Sequence, residues 1–78
     1  METKIKGNLT RAFTLAQIHL MQAHELDEQH AYEKALRECD AAFRLAPDYA
    51  DAHNLRGVLL EELGQQQKAV AAYQEEIR

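Results

Sequence analysis

From Leu9 the apolar positions are Leu9, Ala12, Phe13, Ala16, Leu20, Ala23 and Leu26, three or four residues apart. That spacing marks one face of an α-helix. A second run, Tyr32, Ala35, Leu36, Cys39, Ala42 and Phe43, keeps the same period, as do Leu55, Val58, Leu59 and Leu63 after it. Ala69, Val70 and Tyr73 form the last. The interruptions between runs are chemically specific. Asn8 is suited to cap the first helix, because its side chain accepts from a free amide one turn on. Gln29 and His30 form a turn. Ala46 precedes the only proline, Pro47, and a residue before proline is pushed out of the helical region. Gly64 separates the third run from the fourth. The pattern therefore predicts four helices: Leu9–Glu28, Ala31–Leu45, Pro47–Leu63 and Gln66–Ile77. Residues 1–7 are polar and aperiodic and read as a disordered, frayed tail. Gly57 lies mid-helix, where glycine costs about 1 kcal/mol relative to alanine, which predicts a close approach by another helix.

A shift of about 34 positions lays the chain over itself. Ala16 falls on Ala50, His19 on His53, Leu26 on Leu60, Lys34 on Lys68 and Ala35 on Ala69. Ala23 falls on Gly57 and Leu36 on Val70. A helix–turn–helix unit of that period resembles the tetratricopeptide repeat family. In the second unit the resemblance rests on Gly57, Leu63–Gly64, Ala69 and Tyr73. In the first it rests on Ala23, Tyr32, Ala35, Ala42 and Pro47. It covers Ala16 to Arg78. It implies an all-α fold in which two helical hairpins stack as a fragment of an α-solenoid, with an extended first helix. Residues 8–78 are then one helical-repeat domain, with repeat 1 about 16–49 and repeat 2 about 50–78. The family usually has glycine where His30 stands, and a small residue where Glu76 stands. Repeat 2 thus reads as incomplete at its C-terminus, and repeat arrays are stabilised by capping units and by about three repeats. The expectation is a piece of a longer array, or a chain that finds its missing neighbour in another copy.

Composition narrows the function classes. A 78-residue chain holds one domain and has a small core to work with. The formal charge of −4 excludes the basic footprint of a nucleic-acid binder. No apolar run approaches the roughly 20 residues of a membrane span, and METKIKGNLTR lacks a signal-peptide core. With one cysteine there is no internal disulfide, and the expected location is cytoplasmic. Glycine-rich phosphate loops, nucleophile elbows and zinc-protease patterns are absent from the sequence. The expectation is a non-enzyme without cofactor or metal. His19 and His53 read as packing residues, His24 and Glu28 as a surface pair, and Cys39 as a buried apolar thiol. Asp27, Glu28, Glu61 and Glu62 read as solvated acids, and Lys34–Glu38, Glu33–Arg37 and Asp40–Arg44, each four apart, as ion pairs on a solvated helix face.

The family resemblance implies a concave surface lined by the first helix of each unit. Here that surface comprises Gln17, Leu20, Met21, His24 and Asp27, with Asp51, Asn54, Leu55, Val58 and Glu61. It is apolar in the middle and acidic at the rim, which suits a hydrophobic and basic protein segment. One subclass of the family clamps carboxylates there with basic residues; Leu20, His24 and Leu55 occupy the corresponding positions, so no such clamp is expected. The function implied is a protein–protein interaction scaffold that binds a peptide or helix in this groove. The alternatives are a homo-oligomerisation module using the groove or the uncapped ends, and, remotely, an accessory repeat of a larger enzyme.

Overall fold

The computed structural model describes residues 2–77, with side chains at 11–72 and 74. Among these residues there are three helices and no strand: α1 (Glu2–Glu28), α2 (Tyr32–Leu45) and α3 (Ala50–Ile77). Helix α1 takes in residues 2–7, and Asn8 lies within it rather than capping it.

Helices α1 and α2 form the expected hairpin. The turn is a Schellman closure: Ala31 N–H donates to Leu26 O at 2.8 Å and His30 N–H to Asp27 O at 2.9 Å. This geometry places His30 at φ 62°, the left-handed region that explains the family's preference for glycine at this point. Tyr32 steadies the strained residue, its hydroxyl 2.7 Å from His30 Nδ1. No side chain caps α2 at Ala31, so tertiary packing, not capping, fixes the start of that helix.

The core is built from small side chains. Ala16, Ala23, Ala35, Cys39, Ala42 and Ala52 are fully buried with Leu59, while Leu20 and Leu55 are nearly so. Alanines on facing helices let their backbones approach closely. Leu26, Tyr32, Leu36, Phe43 and Tyr49 seal the edges of this cluster. Phe13, on the apolar stripe of the first run, remains 44% exposed, tilted against Tyr49 at 5.0 Å between ring centroids. Tyr73 lies outside the described side chains.

The second hairpin does not close. Helix α3 runs 28 residues through Gly64 without a turn. Gly64 is the counterpart of His30, yet neither Gly64 nor Gly57 takes a positive φ. One glycine costs about 1 kcal/mol inside a helix, and the flanking Gln65–Gln66–Gln67–Lys68–Ala69 are good helix formers with no proline after them. Only packing of a fourth helix against the third can force a turn there. The close contact expected at Gly57 is absent as well, since a Cβ built on Gly57 or Gly64 meets nothing within 4 Å. The outcome is an elongated body of 67 × 18 × 13 Å. Its radius of gyration is 16.7 Å, against about 11–12 Å for a compact chain of this length.

Candidate functional site

Helices α1 and α3 meet along a groove of about 430 Å³ lined by Leu20, His24, Asp27, Asp51, Asn54, Leu55 and Val58. Their spacing explains the convergence. Leu20, His24 and Asp27 are one helical stripe of α1, and Asp51, Asn54, Leu55 and Val58 are one of α3. Leu20 and Leu55 form the floor and are 6% and 5% exposed, so both belong to the core as well as to the groove. A charge at Leu55 would therefore break the fold before it tested binding. Val58 stands at the opening, 44% exposed, and is the free apolar contact. Asp27 and Asp51 supply negative charge, and His24 and Asn54 supply hydrogen-bonding groups. Of the other residues expected here, Gln17, Met21 and Glu61 are exposed and do not line the groove.

The family model of the tetratricopeptide repeat matches residues 38–71, a window that begins within α2 and ends within α3. Residues 38–71 are similar to the tetratricopeptide repeat. The matched window spans the α2–α3 turn, where Ala46 N–H donates to Ala42 O at 2.8 Å and Tyr49 N–H to Ala46 O at 3.1 Å. Such repeats generally mediate protein–protein interaction. No curated protein and no solved structure matches the chain. No helix of the described residues is long and apolar enough to cross a membrane.

Two histidines lock neighbouring helices, each by its own contact. His19 Nδ1 lies 2.6 Å from Glu38 Oε2, which ties α1 to α2. His53 Nε2–H donates to Pro47 O at 2.9 Å, and its ring stacks on Phe43 at 4.2 Å, which ties α3 to α2. Glu38 is thus engaged across helices, as is Asp40, whose carboxylate sits 3.9 Å from Arg56 of α3. Both partners of that last pair are about half exposed, and it contributes little, at most about 1 kcal/mol. Cys39 is buried among the core side chains. Burial first, and the Asp40 carboxylate second, push its thiol up to about 11.

A carboxyl pairing between helices was not legible in the sequence. Asp27 and Glu62, read as separate solvated acids, come together at the end of the groove and share a hydrogen bond between their carboxyl groups. That bond, with desolvation and the Asp27 charge behind it, holds the Glu62 carboxyl above the usual glutamate range. Tyr32 is raised by desolvation, and further by the charges of Glu62 and Asp27. The folded chain binds the Glu62 proton more tightly than the unfolded chain does. The resulting stability is therefore fully present below the ordinary glutamate pKa and is lost as pH rises through the folded one. Glu62→Gln supplies a permanent neutral donor to Asp27. It should raise the melting temperature at pH 7 and leave it unchanged near pH 4, as read from circular-dichroism melts at both pH values. A drop at pH 7 would rule out the shared-proton account.

A second hollow, about 300 Å³, lies between Phe13 and the α2–α3 turn residues Leu45, Ala46, Pro47, Asp48 and Tyr49. The sequence offered one signal for it, the apolar position of Phe13 one turn before Ala16.

Proposed function

We propose that the chain is a non-catalytic protein–protein interaction module whose α1–α3 groove takes a short segment of a partner protein. The observation that carries this reading is the meeting of two leucines, one exposed valine and two aspartates from separate helices in one concave strip. The volume suits one or two side chains, not a whole domain face. The chemistry favours an apolar anchor set beside lysine or arginine. The anchor would cover Val58 and the leucine floor, and the cation would sit between Asp27 and Asp51. A cation at that point would also offset the negative charge that gathers where Asp27 meets Glu62. The family's general role in protein interaction agrees with this reading, and the absence of basic residues from the groove sets it apart from a carboxylate clamp.

Selection from a displayed random-peptide library should enrich sequences with an apolar residue next to a basic one. Val58→Lys and Asp51→Lys alter exposed positions and should leave the helices intact. Each should weaken the selected peptides about tenfold or more in calorimetric titration, which is about 1.4 kcal/mol. Peptides that bind both variants as well as they bind the parent chain would refute the groove.

A further inference from the structure

The face of α1 that receives α2 has a counterpart on α3 that receives nothing. Ala16 and Ala23 of α1 are fully buried, and Leu26 packs against the core beside them. Their equivalents Ala50, Gly57 and Leu60 on α3 are exposed, Leu60 by 45%. The segment fit to cover them exists in the same chain. Residues 66–77 correspond to the α2 segment that carries Ala35 and Leu36, and their counterparts Ala69 and Val70 are also exposed. The straight path of α3 through Gly64 carries that segment away from its own receiving face.

We propose that two copies of the chain pair through α3, antiparallel and crossing at Gly64, each laying its 66–77 segment on the Ala50–Gly57–Leu60 face of the other. Three observations fit. A hairpin's second helix runs antiparallel to its first, and an antiparallel pair of α3 helices reproduces that orientation between chains. The stretches on either side of Gly64, 50–63 and 65–77, are each about 20 Å long, so a two-fold axis at Gly64 puts both segments in register at once. The glycine at 57 and the glycine at the crossing offer no side chain to hold the backbones apart, and the space above both is open. The arrangement uses the opposite side of α3 from Leu55 and Leu59 and is independent of the peptide groove.

The molar mass of the full chain in sedimentation equilibrium tests it. The expected result is twice the 8.9 kDa chain mass at micromolar concentration. Leu60→Glu and Val70→Glu each place a charge at a position exposed in the single chain, and each should give a monomer that keeps its helical circular dichroism. A four-residue Gly-Ser insertion after Gly64 should also give a monomer, because the longer loop lets each segment fold back onto its own α3. A parent chain that stays monomeric up to millimolar concentration overturns the proposal. So does a dimer that survives Val70→Glu, or one that survives the insertion.

Discussion

Leu59→Ala should destabilise the chain by about 2–5 kcal/mol, the range for emptying a buried leucine site. Leu59 is the largest fully buried side chain of α3, and it sits where α3 seats on the alanine-lined cluster. Small cores relax poorly around a new cavity, since alanines have nothing to swing into the space. A chain of this length has a total stability of about 4–12 kcal/mol, so the loss is a large part of the whole. In chemical denaturation the midpoint should fall sharply with the slope unchanged. A shift below about 1 kcal/mol would mean that α3 is held by its two histidine and aromatic contacts rather than by this leucine.

The second large effect separates two positions that the internal repeat makes equivalent. Ala23→Leu forces extra methylenes into a fully buried site between α1 and α2 and should cost about 1–3 kcal/mol. In the single chain, at concentrations too low for pairing, Gly57→Ala should do the reverse. Its backbone is helical, its added Cβ meets nothing within 4 Å, and alanine recovers about 1 kcal/mol of helix propensity. For a domain of this size 1 kcal/mol moves the melting temperature by about 4–8 °C, well within reach of a calorimetric scan. Equal losses at both positions at that dilution would show that the single chain closes its second hairpin. The original expectation from the sequence, a tight contact at Gly57 within one chain, would then hold after all.

The comparison of Ala23 with Gly57 also shows what the sequence could and could not convey. Helical period is a local property, so all four apolar runs lie in helices and the α1–α2 hairpin is as expected, but only α2 keeps nearly its expected bounds: α1 starts earlier, and the last two runs merge into α3. The groove was legible for the same reason: spacing places Leu20, His24 and Asp27 on one stripe of α1, and Asp51, Asn54, Leu55 and Val58 on one of α3. Turns were less legible, because a turn is decided by what the following helix gains from folding back. His30 is a poor residue for a left-handed turn and adopts one, since α2 buries Ala35, Cys39 and Ala42 behind it. Gly64 is the better residue and stays helical. The repeat pattern marks both sites alike, and local sequence carries no measure of that packing gain. Contacts between helices, such as Asp27 with Glu62, have no periodic signal either.

Cys39 gives the chain a built-in reporter. It is the one thiol in the sequence, it is fully buried where all three helices contribute to the core, and its high pKa leaves almost no thiolate at neutral pH. A thiol-specific dye added to the native protein should therefore react only through openings that expose the core. Labelling rates measured across dye concentrations then give the opening free energy directly, without denaturant and without an added chromophore. The same trace, recorded before and after a groove-binding peptide is added, would count how much the peptide holds the helices shut.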